Sequence, residues 1–173
     1  MSRKLALVLE YDGTNYQGFQ LQKKAPTIQG SLEKALFQLT QERIRVIGAS
    51  RTDSGVHALG QVVSFNTESE LGSDTFVRGL NHYLPRDIAV KAAREVSDTF
   101  HPRRDALSRE YQYTILNSPT RSPMREGHTY WVSGHLDIKA MNEASGRLLG
   151  KQDFASFASK LEAHIKNTVR TVY

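Results

Sequence analysis

Cysteine is absent from the 173-residue chain, which excludes disulfides, thiol catalysis and cysteine-ligated zinc. Long hydrophobic runs are absent too, since no apolar segment approaches the roughly 20 residues that a membrane-spanning helix needs. The short apolar stretch near the N-terminus has no A-x-A-like cleavage site, so we interpret it as a first strand rather than a signal peptide. We therefore expect a cytoplasmic protein with no membrane partner.

The sequence also lacks the motifs of common metal and cofactor enzymes. It contains no G-x-x-x-x-G-K-[ST] phosphate loop, and its six histidines show neither H-x-x-x-H nor H-E-x-x-H spacing. The segment GASRT misses the G-x-S-x-G elbow of hydrolases because Thr52 stands where the second glycine belongs. We therefore expect no cofactor and no metal.

Positive charge is in excess, with a formal net charge of +5 at pH 7. Such an excess favours a polyanionic partner. Three arginines precede the aromatic run Tyr111-Gln112-Tyr113, at positions 103, 104 and 109. Cations beside aromatic rings suit contact with the phosphates and bases of unpaired nucleotides. A solvated surface is the alternative interpretation of this cluster.

The order of elements predicts an α+β fold, with a largely antiparallel sheet that carries helices on one face. Leu5, Leu7 and Leu9 alternate with other residues in the two-residue period of a strand. In the last predicted strand before residue 117, Tyr111 and Tyr113 share one face. The expected strands lie at 5–10, 44–49, 62–65, 87–96 and 108–116. The expected helices are one that runs from a cap at Thr27 through Gln41, one over 74–84 capped by Ser73, and one over 137–149.

Two charged residues interrupt the segment GASRTDSGVHALGQVVSF, which runs from Gly48 to Phe65 between two predicted strands. If this segment is extended, Arg51 and Asp53 project to the same side. A nearby guanidinium would then lower the pKa of the aspartate below its reference value of about 3.9 and so keep the side chain ionised. Asp53 could act as a nucleophile or a base. The alternative is a structural loop, in which Asp53 forms a salt bridge or accepts from the turn amides of Ser54 and Gly55.

Six segments in the same order resemble the TruA family of tRNA pseudouridine synthases. A lone R-T-D-x-G motif would be weak evidence, whereas six ordered blocks from Tyr11 to Phe157 are specific. The blocks are YDGTNYQGFQLQ, TIQGSLEKAL, GASRTDSGVHALGQVVSF, LNHYLPRDI, FHPRRDALSREYQYTI and LLGKQDFASF.

The resemblance implies a pseudouridine synthase-like fold and assigns roles to four residues. Asp53 is the catalytic aspartate, Tyr111 packs against the target base, and Arg51 and Arg109 bind substrate. Glu110 departs from the family pattern, which often has arginine just before the tyrosine. The resemblance further implies an isomerase that acts on tRNA uridines at positions 38 to 40 of the anticodon stem-loop, without a cofactor, and a homodimer.

Members of this family are longer than this chain, so we expect it to lack the C-terminal part and to have an incomplete second half. The expected domains are residues 1–107, an N-terminal half that carries the aspartate loop, and residues 108–173, the start of the C-terminal half. A non-catalytic RNA-binding fragment is therefore an alternative function. A small-molecule enzyme with an aspartate nucleophile is a third.

Overall fold

A computed structural model of the chain describes residues 2–157 and 167–173. The contacts divide it into two compact units, Met1–Gln112 and Tyr113–Tyr173. The domain boundary expected between residues 107 and 108 stays a prediction. In the described ranges, no helix is both long enough and apolar enough to cross a lipid bilayer.

The first unit is a four-stranded antiparallel sheet with two helices. The strand order is β2-β3-β1-β4, and every neighbouring pair is antiparallel. This confirms the predicted fold class. In chain order the elements are β1 (Arg3–Tyr11), α1 (Ile28–Thr40), β2 (Ile47–Gly48), β3 (Ala58–Thr67), α2 (Ser73–Tyr83) and β4 (Ile88–Val96).

Both helices cover the same face of this sheet. In β1 the residues Leu5, Leu7 and Leu9 are fully buried, while the residues between them are only partly buried. Phe76 of α2 packs against Phe65 of β3 with ring centroids 5.9 Å apart. Each such side chain contributes about 1.5–3 kcal/mol through burial. The hydrophobic core therefore fixes the sheet, and with it the loops at the ends of the strands.

The helix ends follow local chemistry, with one exception. The Thr27 side chain accepts from the Gly30 amide at 3.2 Å, and Gln41 closes α1 in the left-handed conformation at φ 62°. The predicted cap at Ser73 is wrong, because Gly72 occupies the N-cap position and Ser73 is the first helical residue. Gly72 has no side chain to form a cap hydrogen bond, so α2 depends on packing rather than capping.

The second unit contains two small sheets and one helix. The predicted strand over 108–116 is wrong for most of its length, since it begins at Ile115 and leaves Tyr111 and Tyr113 exposed. No ladder partner pairs with residues 108–114 among the described strands, so the alternating tyrosines form no strand. The elements are β5 (Ile115–Asn117) parallel to β6 (Tyr130–Val132), α3 (Ile138–Gly146), and β7 (Gly150–Asp153) antiparallel to β8 (Val169–Val172).

Candidate active site

Asp53 lies in the loop that connects β2 to β3. The sheet ladder ends where the Ala49 amide donates to the Val62 carbonyl at 2.8 Å. A tight turn follows, in which the Val56 amide donates to the Asp53 carbonyl at 3.2 Å and Gly55 adopts φ 78°. Asp53 itself is exposed, and within the described residues its carboxylate takes part in no hydrogen bond or ion pair. A purely structural aspartate would tie this carboxylate into the turn.

The main chain on both sides of Asp53 is held by the loop that follows β1. The Phe19 amide donates to the Thr52 carbonyl at 2.9 Å, and the Gly55 amide donates to the Tyr16 carbonyl at 3.2 Å. The Ser54 hydroxyl donates to the same Tyr16 carbonyl at 3.2 Å. The aspartate is therefore presented to solvent from a loop whose main chain is hydrogen-bonded at Thr52 and at Gly55.

Two glycines allow these loops to approach main chain to main chain. Gly18 adopts φ 85°, and a Cβ there would lie 2.7 Å from the Thr52 carbonyl oxygen. A Cβ on Gly13 would lie 2.1 Å from the Val56 carbonyl oxygen. Glycine is required at both positions because any side chain would push the Asp53 loop away.

Two side chains from the sheet hold the residues just before Asp53. The Tyr11 hydroxyl is hydrogen-bonded to the Thr52 hydroxyl at 2.8 Å. The Gln61 amide group accepts from the Ser50 N–H at 3.2 Å and donates to the Ser50 carbonyl at 2.8 Å. Gln61 is only 6% exposed, and burial raises the pKa of the Tyr11 phenol, which keeps it neutral. These contacts fix Ser50 and Thr52, the residues on either side of Arg51.

Hydrogen bonds to Asp87, the residue just before β4, anchor the loop after β1. The Tyr16 hydroxyl donates to the Asp87 carboxylate at 2.5 Å, and the Asp12 amide donates to the Asp87 carbonyl at 2.9 Å. Burial, followed by the Asp87 carboxylate, raises the pKa of the Tyr16 phenol above its ordinary value. Three of the sequence blocks therefore meet around Asp53.

The other predicted site residues are placed differently. Arg51 is exposed, and no ion pair of the described residues joins it to Asp53. The salt bridge of the loop hypothesis is therefore not formed, and the guanidinium expected to keep the aspartate ionised makes no ion pair with it. Arg109 is brought to the loop, because its Nη2 donates to the Ala49 carbonyl at 3.2 Å and to the Arg103 carbonyl at 3.1 Å. Tyr111 is 71% exposed and stays a predicted substrate contact.

Sequence reasoning missed the supporting residues. Tyr11, Gln61 and Asp87 lie inside three of the blocks that carry the resemblance, but nothing in their spacing indicates a contact with the Asp53 loop. Gly18 could have been found, since a glycine between aromatic residues in a loop predicts a positive φ or a close approach. Their position inside the blocks that resemble the family was the sequence signal that could have pointed to these residues.

Comparison with known proteins addresses this assembly directly. A family model described as tRNA pseudouridine synthase matches residues 7–104. The tRNA pseudouridine synthase A of Acetivibrio thermocellus is 46% identical over 170 residues, which cover 98% of this chain and 69% of that protein. The chain belongs to the tRNA pseudouridine synthase family.

Other relatives agree with this assignment. The tRNA pseudouridine synthase A 2 of Clostridium tetani is 45% identical over 174 residues, covering 99% of this chain and 70% of that protein. The tRNA pseudouridine synthase A of Herminiimonas arsenicoxydans is 45% identical over 176 residues, covering 99% of this chain and 64% of that protein. The resemblance predicted from the sequence is confirmed, and the family is one of isomerases.

The range matched by the family model includes Asp53 and the residues that hold its loop. Residues 7–104 contain Asp53 together with the loop after β1, the two sheet side chains and Asp87. Arg109 and Tyr111 lie outside it. The family match therefore covers the scaffold that presents the aspartate.

Proposed function

We propose that this protein isomerises uridine to pseudouridine at positions 38 to 40 of the tRNA anticodon stem-loop, with the Asp53 carboxylate as the catalytic group. The observation that carries the proposal is an exposed carboxylate on a loop whose main chain is fixed at Thr52 and Gly55. Catalysis needs such pre-organisation, because a group that must first be ordered loses the advantage of proximity.

The reaction is balanced without any added group. The bond from N1 to C1′ of the ribose breaks, the base turns, C5 joins C1′, and the proton of C5 leaves while N1 gains one. Asp53 could attack C1′, attack C6 of the ring or remove the 2′ proton. Each route requires the uridine to leave the RNA stack, which costs a few kcal/mol. An exposed loop suits this, since the extruded nucleotide reaches the carboxylate from solvent.

The remaining predicted residues would support extrusion and binding. The exposed Arg51 guanidinium, two residues before the aspartate, would contact a phosphate or occupy the space that the uridine vacates. Tyr111 would give the base an aromatic platform worth about 1–3 kcal/mol. Arg109 already holds the Ala49 carbonyl, and its other N–H groups would bind a phosphate. We further propose a cytoplasmic homodimer that shares one tRNA, as the resemblance implies.

The decisive assay is tritium release from C5-labelled uridine in tRNA by the 173-residue chain. We expect release that is stoichiometric with pseudouridine formed, because the C5 proton must leave in this isomerisation. Binding without release would support the non-catalytic RNA-binding fragment. Turnover of free uridine nucleotides that is insensitive to salt would support the small-molecule enzyme, since binding through RNA phosphates weakens steeply as salt rises.

Replacing Gln61 tests whether the loop must be held. Gln61→Leu leaves the N–H and carbonyl of Ser50 without their partners, which costs about 1–3 kcal/mol. If this cost falls on the catalytic geometry, kcat decreases by about 10- to 100-fold. We expect a smaller change in KM, because RNA affinity depends mainly on phosphate contacts.

The matched control is Gln38→Leu on the exposed side of α1. This substitution changes the same atoms at a side chain that makes no hydrogen bond to any described residue, so kcat should match that of the wild-type chain. Equal kcat values for the two variants would show that the hydrogen bonds to Ser50 do not position Asp53. Thermal unfolding of both variants separates a loop effect from a general loss of stability.

A further inference from the structure

A cavity of about 270 Å³ opens at the edge of the first sheet, away from the Asp53 loop. Strand β2 pairs with β3 only at Ile47↔Ser64 and Gly48↔Val63. If the pairing continued in the same register, Arg45 would lie opposite Asn66. Instead, β2 begins at Ile47, and the cavity lies between the residues before β2 and residues 64–66 of β3. The Val62 carbonyl accepts a hydrogen bond on the β2 side of β3. Because main-chain groups point to opposite sides in successive residues of a strand, those of Ser64 and Asn66 also face the β2 side.

Ser64 supplies an unusual feature of this cavity. The residue lines the cavity and is only 1% exposed. Its hydroxyl is the one buried side-chain polar atom, among the described residues, that has no hydrogen-bond partner. A buried hydroxyl without a partner costs about 1–3 kcal/mol. An occupant that accepts a hydrogen bond would remove that cost.

Three cations surround the same space, namely Lys4, Arg43 and Arg45. Arg45 is paired with the Glu33 carboxylate at 3.2 Å. Arg43 is exposed and takes part in no ion pair of the described residues. Lys4 donates to the neutral carbonyl of Asp98 at 2.7 Å, so its charge is not balanced by a carboxylate.

The acidic residue of the cavity does not offset these charges fully. Both Glu42 carboxylate oxygens lie 3.0 Å from the Thr67 hydroxyl, and one also accepts from the Glu68 amide at 3.2 Å. The hydrogen-bond donors to this carboxylate are therefore not the three cations of the cavity. The charges of Lys4 and Arg43 exceed the single charge of Glu42, which favours an anion.

We propose that this cavity binds a phosphate group. The Arg43 guanidinium and the Lys4 ammonium would contact its oxygens, and the Ser64 hydroxyl would donate to one of them. Charge-assisted hydrogen bonds to phosphate are about twice as strong as neutral ones. Two sources supply this chemistry, a phosphodiester of bound RNA or a free phosphate.

The geometry is compatible with an RNA source. Residues 47 to 53 connect the cavity edge to Asp53 and span at most about 22 Å. An RNA strand seated at Asp53 could therefore place another of its phosphates in the cavity. The RNA source rests on the proposed function, whereas phosphate binding itself does not.

The test titrates inorganic phosphate into the ¹⁵N-labelled 173-residue chain at constant ionic strength, with chloride as the compensating anion. We expect saturable shifts of the Ser64 and Asn66 amide signals. Arg43→Gln should weaken binding about tenfold, as expected for one charge-assisted contact, and Ser64→Ala should weaken it as well. Arg78→Gln, an exposed cation of α2, is the control and should leave binding unchanged.

Shifts that chloride reproduces, or that persist unchanged in Arg43→Gln, would overturn the proposal. A second arm measures tRNA affinity for the same variants over a range of salt. A phosphodiester in the cavity predicts that Arg43→Gln weakens tRNA binding and reduces the salt slope by about 1. Unchanged tRNA affinity with lost phosphate binding assigns the cavity to free phosphate. Neither arm needs isomerase turnover, so each can succeed or fail independently of the proposed activity.

Discussion

Asp53→Asn is expected to lower kcat for pseudouridine formation by about 10³-fold or more, while tRNA affinity stays within about twofold of wild type. The amide has the shape of the carboxylate but is neither a useful nucleophile nor a base. Because the Asp53 side chain makes no hydrogen bond or ion pair within the described residues, its replacement should also leave the free energy of unfolding nearly unchanged. Activity, binding and stability are therefore expected to separate.

The measurement combines tritium release at saturating tRNA with a filter-binding titration and a thermal melt. Asp98→Asn is the matched control, since it neutralises another exposed aspartate outside the loop. Retained turnover in Asp53→Asn would remove Asp53 from the chemistry. Equal losses in both variants would instead indicate a general effect of surface charge on RNA binding.

Gly18→Ala is expected to lower kcat by about 100-fold. The added Cβ would lie 2.7 Å from the Thr52 carbonyl oxygen, which accepts from the Phe19 amide. The clash pushes the residue before Asp53 away, and a displacement near 1 Å can cost about 10² in rate. In addition, φ 85° is unfavourable for alanine by about 1–2 kcal/mol, so stability should fall as well.

Two other glycines separate strain from displacement. Gly55 has φ 78°, but a Cβ added there would meet no atom of the described residues within 4 Å, so Gly55→Ala tests backbone strain alone. A Cβ on Gly60 would also lie more than 4 Å from every atom in the described part of the chain, and its φ is not positive, so Gly60→Ala should resemble wild type. If displacement of the loop causes the loss, kcat falls further in Gly18→Ala than in Gly55→Ala. Equal rates for Gly18→Ala and Gly60→Ala would contradict this role of Gly18.

Elements set by local chemistry could be predicted from the sequence. The alternating leucines of β1 and the Thr27 cap of α1 are signals contained within a few residues, and both were confirmed. The strand expected over 108–116 failed because a strand needs a partner, which local alternation cannot supply. The Ser73 cap failed by one residue, since Gly72 also fits the N-cap position.

In the candidate site, too, residues in a contiguous motif could be predicted, whereas contacts made across the sheet could not. Asp53 was found because its motif is contiguous, and family resemblance gave it a role. The support from Tyr11 could not be predicted, since its hydroxyl meets Thr52 across 41 positions of the sequence. That contact depends on the register of β1 against β3, which pairs Tyr11 with Ala58 after a bulge. Such a register follows from packing of the whole sheet.

The central claim is that the Asp53 side chain meets an extruded uridine. A crystal structure of the Asp53→Asn chain bound to an anticodon stem-loop RNA tests it most directly. We predict a target uridine turned out of the stack, with C1′, C6 or the 2′ carbon within about 3.5 Å of the residue-53 side chain. The nearest of these atoms would also distinguish the three routes. A stacked target uridine, or one bound away from this loop, would contradict the claim.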